Sequence, residues 1–290
     1  MYIRADLHCH GPEKWLKTSR WNPIDIARVV KGKLEVMAIV EMNLDDNRFE
    51  DLKKVSLGYE KDGRVCVNGN QIYVPECNLL IVRAQELATF SYIDNVDWRK
   101  NSGAQGHILV VGNKQKIPEG NLEESLNRAQ SQGCAVIADH MFAGTREELV
   151  GIGSVNSEEK VIDYFRQKRI HAVEDSGLLR GIGVINLLFG FNGANDRALT
   201  FALNNEIPIV ANSDSHSIYE MGRAHTLFRS YDSTWQHYLP FIIYNLKNGI
   251  SGAIEQFPRG APAFSSERHL LELAPEMLRK YAVRYGLRKS

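Results

Sequence analysis

The sequence lacks net charge: 35 Lys plus Arg stand against 35 Asp plus Glu. With no overall positive field there is no electrostatic footprint for gripping a nucleic-acid backbone, so nucleic acid enters only as a substrate of a local site. Cysteine is sparse. Cys9, Cys66, Cys77 and Cys134 show no Cys-x-x-Cys spacing, and three of them lie in apolar, strand-like runs where reduced core thiols are common. No run approaches the roughly 20 apolar residues a membrane helix needs, and no apolar leader precedes the first motif, so the expectation is a cytoplasmic protein without a membrane partner. Gly151-Ile152-Gly153 and Gly181-Ile182-Gly183 both lack the third glycine of a dinucleotide fingerprint, which excludes a nicotinamide cofactor. The rest of the composition is ordinary. A chain of 290 residues with 43% hydrophobic and 9% aromatic content suits a single barrel-sized domain, 1–290, that can bury a large core.

What the sequence does have is ionisable residues at the ends of apolar runs. In Arg4-Ala5-Asp6-Leu7-His8-Cys9-His10, strand alternation predicts that Asp6, His8 and His10 share one face as a three-pronged ligand array. Leu79 to Glu86 is an apolar strand finishing on a carboxylate, and Cys134 to His140 is one finishing on a histidine. Ile207 to His216 ends in Asp214-Ser215-His216, whose Asp and His again share a face. Gly106-His107-Ile108-Leu109-Val110-Val111 reverses the order, with its histidine at the leading edge. Parallel strands gather their C-terminal ends at one mouth, and a first-row metal explains why the residues there are His, Asp and Glu.

Taken in order, these segments resemble the polymerase-and-histidinol-phosphatase (PHP) domain of metal-dependent phosphoesterases. The resemblance runs from Asp6 to about Thr226. It rests on Asp6-Leu7-His8-Cys9-His10, Arg83-Ala84-Gln85-Glu86, Gly106-His107-Ile108-Leu109, His140 and Ser213-Asp214-Ser215-His216. It implies a distorted seven-stranded β/α barrel, a phosphate-ester hydrolase, and a metal set of His8, His10, Glu86, His107, His140, Asp214 and His216, with Glu86 bridging two ions. Two positions depart from the family pattern. Ile39-Val40-Glu41-Met42-Asn43 places Met42 where a ligand histidine is usual, and a thioether is a poor ligand for hard or borderline divalent ions. The stretch after His10 offers only Glu13. Both losses fall on the third metal position, so the expectation is two divalent ions (Zn, Mn or Fe), with His216 freed to act as a catalytic proton donor.

Arg83, Arg146 and Arg223 are candidates for gripping a phosphate, since a planar guanidinium suits bidentate contact. The expected activity is phosphomonoester hydrolysis on a small phosphorylated metabolite or nucleotide. The alternatives are a non-catalytic metal-binding or regulatory domain, for which Met42 speaks, and a nuclease acting on oligonucleotide ends. Oligomeric state is open. Glu174, at a strand end, is placed to orient a ligand histidine, whereas His171, His237 and His269 read as helical or exposed.

Between the motifs, helix and strand signals alternate. Asn22-Pro23, Asn121 with Glu124, and Ser157 each mark a helix start, and Asn195 or Asp196 opens the helix before the Asp214 strand. Residues 44–78 break the rhythm. Alternating apolar residues about Asn68-Gly69 predict an inserted β-hairpin, a candidate lid. A tail over 257–290 is expected to pack a helix on the barrel.

Overall fold

The computed structural model describes residues 1–11, 18–42, 44–90, 104–118, 120–142, 149–151, 157–176, 194–216, 218, 220–250 and 253–255. In chain order these form β1 (Tyr2–Cys9), α1 (Pro23–Val30), β2 (Val36–Glu41), α2 (Arg48–Glu60), β3 (Cys66–Asn68), β4 (Gln71–Val74) and β5 (Leu79–Phe90). There follow β6 (Ala104–Val111), β7 (Gly120–Asn121), α3 (Leu122–Ser131), β8 (Ala135–Ala138), β9 (Leu149–Gly151), α4 (Glu158–Arg166) and β10 (Ala172–Ser176). The last are α5 (Ala194–Asn204), β11 (Ile209–Asn212), β12 (His225–Arg229), α6 (Tyr238–Lys247) and β13 (Ala253–Glu255). Glu13, Arg146, His269 and the expected tail helix lie outside the described residues.

Neighbouring strands run β11-β10-β8-β6-β5-β2-β1-β12-β13. The ring closes between β1 and the end of β11: Cys9 bridges Ser215 in parallel, His10 N–H donates to Ser215 O at 2.9 Å, and Leu7 N–H donates to Asn212 Oδ1 at 2.8 Å. Seven strands, β1, β2, β5, β6, β8, β10 and β11, thus form a nearly closed barrel, and the remaining strands decorate it. The distortion is β6, which runs antiparallel to both β5 and β8 while the other ring pairs are parallel.

Alternation sorts the strand residues into two layers. Ala5, Leu7, Val36, Ala38, Val40, Leu80, Val82, Ala84, Leu109, Val111, Ala135, Ile137, Ala172 and Val210 fill the barrel, closed below by Leu239, Ile242 and Leu246 of α6. The intervening residues pack outward beneath the helices, as Met37, Ile39 and Ile81 do against Ile26, Ala27 and Val30 of α1. The helix starts follow the sequence signals. Asn22 accepts from Asp25 N–H, Asn121 from Glu124 N–H and Ser157 from Lys160 N–H, each satisfying an otherwise unpaired donor of the first turn.

The hairpin at Cys66–Val74 forms as expected, turning through Gly69 at φ 59° and Asn70, and β4 then pairs antiparallel with Leu79–Val82 of β5. The hairpin is therefore stitched to the sheet at the end of β5 far from Glu86. The inserted segment also contains α2, which the hairpin reading did not foresee. Its N-cap residue Asn47 makes no side-chain cap bond, and it buries only Phe49, Leu52 and Ser56, so neither the start signal nor the apolar periodicity is strong. No helix among the described residues is long and apolar enough to cross a membrane.

Candidate metal centre at the barrel mouth

In most ring strands the inward-facing parity ends at the mouth in an ionisable residue; β2, ending in Met42, is an exception. β5 runs Leu80, Val82, Ala84 inward and then Glu86; β8 runs Ala135, Ile137 and then Asp139; β10 runs Ala172 and then Glu174. In β11, Val210 is followed inward by Asn212 and then Asp214. β6 brings His107 in by its N-terminal end, because an antiparallel strand starts where its neighbours finish; His107 lies opposite Ala88 of β5. That reversal accounts for the one motif whose histidine leads its strand.

The side chains converge. His8 Nε2 lies 3.0 Å from His10 Nε2, and His10 Nε2 lies 3.4 Å from both Glu86 Oε2 and Asp214 Oδ1. His107 Nδ1 is 2.5 Å from Glu86 Oε1, and His140 Nε2 is 2.8 Å from Asp214 Oδ2. The His216 ring sits 4.4 Å from that of His10, centroid to centroid, and its Nδ1 donates to the Asp214 carbonyl at 3.1 Å. Every residue of the expected metal set is therefore in one cluster. Two further carboxylates join it. Asp139 Oδ1 lies 3.1 Å from His140 Nδ1 and 3.5 Å from His8 Nδ1, and Glu174 Oε1 bonds His8 Nδ1 at 2.9 Å while accepting from Asn212 Nδ2 at 2.8 Å. Asp139 was legible as the residue before His140 at the inward parity of its strand. Glu174 orients His8, the role its place on the strand suggested.

Asp6 does not join the cluster. The β1–β2 register slips between Asp6 and Cys9: Asp6 pairs with Met37 and Cys9 with Ile39, so β1 carries an extra residue there. A bulge of this kind reverses the alternation, leaving Asp6 and Cys9 on the outer side while Leu7, His8 and His10 face in. Arg83 needs a second correction. It is on the outward parity of β5, 4% exposed, with Nε 3.1 Å from Glu41 Oε2, an Nη2 bond to Glu50 Oε1 and its guanidinium over the Phe49 ring. A guanidinium so enclosed cannot reach a substrate in the mouth. Glu41 shares that outward network, whereas Met42, 42% exposed, follows the inward parity of β2 at the rim. Arg223 is half-buried beside His225, and its N–H donates to Glu220 O. His171 corrects the exposed reading: it is buried, and its Nδ1 accepts from Val136 N–H at 2.9 Å.

The electrostatics of the cluster show what it lacks. Burial alone would raise Glu86, Glu174 and Asp214, yet the adjoining histidines hold Glu86 and Asp214 well below the carboxylate range and Glu174 at about 2. Burial likewise opposes protonation of His8 and His140, yet Glu174, Asp139 and Asp214 drive His8, and Asp139 and Asp214 drive His140, well above the ordinary histidine value. Asp139 is pushed well up by burial, while burial and the neighbouring His216 push His10 down to about 4. Both Asp139 oxygens, Glu174 Oε2, His10 Nδ1 and His140 Nδ1 are buried without a hydrogen-bond partner. Orphaned carboxylate oxygens among histidines are the donor set of a divalent cation site, and groups of candidate ligand atoms lie within 4.8 Å of one another. His8, Asp139, His140 and Glu174 form one such group; Glu86, His107, Asp139 and His140 another; His8, His10 and Glu86 a third; and His10, Asp214 and His216 a fourth. The residues fit the metals that the sequence resemblance implies.

Comparison with known proteins agrees with this architecture. A two-domain protein from Bacteroides vulgatus ATCC 8482, containing a predicted PHP-like metal-dependent phosphoesterase, superposes with a TM-score of 0.52 at 11% identity over 88% of this chain. The fold is that of the PHP domains. The PHP-associated family model matches residues 192–237, the segment from the start of α5 through β11 and β12 that carries Asp214 and His216. PsfC from Pseudomonas syringae PB-5123 superposes with a TM-score of 0.51 at 14% identity, covering 85% of this chain and 96% of its own. Endonuclease Q, in complex with a 27-mer duplex bearing an abasic lesion, gives 0.47 at 15% identity, over 86% of this chain and 57% of its own. The chain spans 64% of the length of the Bacteroides protein, less than two thirds. No curated protein matches the sequence.

Proposed function

We propose that this PHP-fold chain is a metal-dependent phosphoesterase acting on a small phosphorylated metabolite or nucleotide through a dinuclear centre. The observation that carries the reading is the largely buried cluster itself: four carboxylates and five histidines brought together from six ring strands and their ends, with carboxylate oxygens left unpaired. His8, His10, Glu86, His107, His140 and Asp214 would hold the ions, with Asp139 between the His8 and His140 rings as an added anionic donor. Divalent ions there supply Lewis acidity to a phosphoryl oxygen and lower the pKa of an attacking water.

The chain's own residues do the rest. Glu174 fixes the His8 ring through Nδ1, leaving Nε2 for the centre. His216, at the exposed side of the cluster with Nδ1 tied to the Asp214 carbonyl, keeps Nε2 for the substrate, where it delivers a proton to the departing oxygen. The barrel below the site is filled with aliphatic side chains, which exclude water from that side of the reacting phosphorus.

The test is a screen of the metal-reconstituted protein against alkyl and aryl phosphomonoesters, mononucleotides and short oligonucleotides, with the metal content measured by plasma emission. Turnover of monoesters with two ions per chain is the expected result. Metal binding without turnover of any substrate would favour a regulatory domain, and cleavage confined to oligonucleotides would make the protein a nuclease.

A further inference from the structure

We infer that Asp6 is a positioning residue, a buried carboxylate staple that holds both ends of the 213–222 segment and thereby sets the Asp214 and His216 side chains against the rest of the centre. The inference rests on the reading of those two residues as part of the site.

Three observations carry it. Asp6 lies on the outward parity of β1, and the bulge that follows it brings His8 and His10 but not Asp6 into the cluster, so its complete burial is not explained by metal binding. Its carboxylate is saturated by donors that belong to the segment in question. Ser213 N–H reaches Oδ1 at 3.0 Å, Ser213 Oγ–H reaches Oδ2 at 2.5 Å, and Gly222 N–H reaches Oδ2 at 3.1 Å, with Cys9 Sγ–H adding a contact to Oδ2 at 3.1 Å. One side chain thus ties residue 213 to residue 222. Between these anchors the backbone is strained. Asp214 is a non-glycine residue at φ 51°, in the left-handed region, which costs free energy unless surrounding bonds enforce it. A second bond stiffens the same segment: His216 N–H donates to Glu220 Oε2 at 2.9 Å.

The consequence is a division of labour within the opening motif. His8 and His10 enter the cluster directly, while Asp6, two residues earlier, acts on residues more than two hundred positions away in sequence. Asn at position 6 keeps the shape and an oxygen for Ser213 N–H, but it puts an amide N–H₂ against the Gly222 N–H, so it breaks the far end of the staple selectively.

Asp6→Asn is therefore the experiment, read by metal titration with a chromophoric chelator competitor, at a temperature well below its melting point. Zinc affinity is expected to fall about 10- to 100-fold, the range seen when partners that orient a ligand are removed. Ser213→Ala, which removes one bond and leaves Gly222 anchored, should lose less. A control, Leu52→Ala, removes a buried side chain of α2 remote from the segment and should lower the melting temperature without changing zinc affinity. Wild-type affinity in Asp6→Asn, or a loss that Leu52→Ala reproduces at equal melting temperature, overturns the inference. Failure of the wild-type protein to bind metal would instead overturn the reading of the site.

Discussion

Two buried polar networks lie on opposite faces of β5, three residues apart, and they balance their charge in different ways. On the outer face Glu41 and Glu50 meet Arg83, and Lys116 Nζ is bonded by Leu44 O at 2.8 Å, Asn47 Oδ1 at 3.0 Å and Asp46 O, with Glu41 Oε1 at 3.9 Å. These cations keep their charge without a neighbouring acid, so the network's charge is balanced by the chain's own residues. On the inner face Glu86, Asp139, Glu174 and Asp214 are paired with histidines, whose charge depends on protons. Carboxylates that can be balanced only by forcing protons onto buried rings are arranged for a cation the chain does not supply. Fixed cations mark the structural network, and titratable ones mark the site.

The comparison can be broken most sharply at Glu86. Glu86→Gln should cost more than about 100-fold in metal affinity, beyond the range for a residue that merely orients a ligand, and abolish turnover. Competition titration and a phosphatase assay check both, and wild-type values in either would show that the inner network does not need its anion. His216→Ala should leave the metal content unchanged and lower turnover of an alkyl phosphate by roughly 10² to 10⁴, the usual worth of a general acid. An activated aryl phosphate should suffer much less. Equal losses on both substrates would assign His216 to binding, and loss of an ion would make it a ligand.

On the outer face the expected cost is stability. Arg83→Ala leaves the buried Glu41 carboxylate with Lys116 at 3.9 Å in place of its closer cation and should destabilise the fold by up to about 3 to 5 kcal/mol, the cost of removing one partner of a buried pair. Denaturant unfolding measures this. Metal affinity should stay unchanged, and a parallel fall in affinity would mean that the two networks are coupled through β5.

The smallest expected effect concerns a histidine that belongs to neither network. Burial, and then Lys247, lower His171 from 6.5 to about 4, so the folded state resists its protonation. The sign follows: its contribution is complete above pH 6.5 and is lost as pH falls towards 4, about 3 kcal/mol in all. His171→Gln should flatten the acid limb of stability against pH by that amount relative to wild type. An unchanged slope would show that burial does not hold the ring neutral.

Local patterns carried much of the architecture. Asn22, Asn121 and Ser157 announced their helices because a capping side chain bonds within its own turn. Apolar strands ending in Glu86 and Asp214 announced the mouth, since alternation aims the last inward residue at the site, whereas His140 follows the inward Asp139 and sits at φ 40°. The leading His107 was visible too, although only the antiparallel pairing of β6 explains it. Helix α2 was not legible, as its buried face amounts to three residues and its cap is silent.

The sequence by itself determined which kinds of residue stand at the strand ends, and these limit which ions and reactions a mouth can serve. Only the tertiary structure decided which of those residues take part. A single extra residue in β1 brought His8 and His10 inward and left Asp6 on the outer side, and two acids on the outer face claimed Arg83. Ring closure by Cys9 and Ser215 set Asp214 beside His10, and inward parity on β8 and β10 added Asp139 and Glu174. Register, closure and partner choice are properties of strands meeting strands, and alternation within one strand does not contain them.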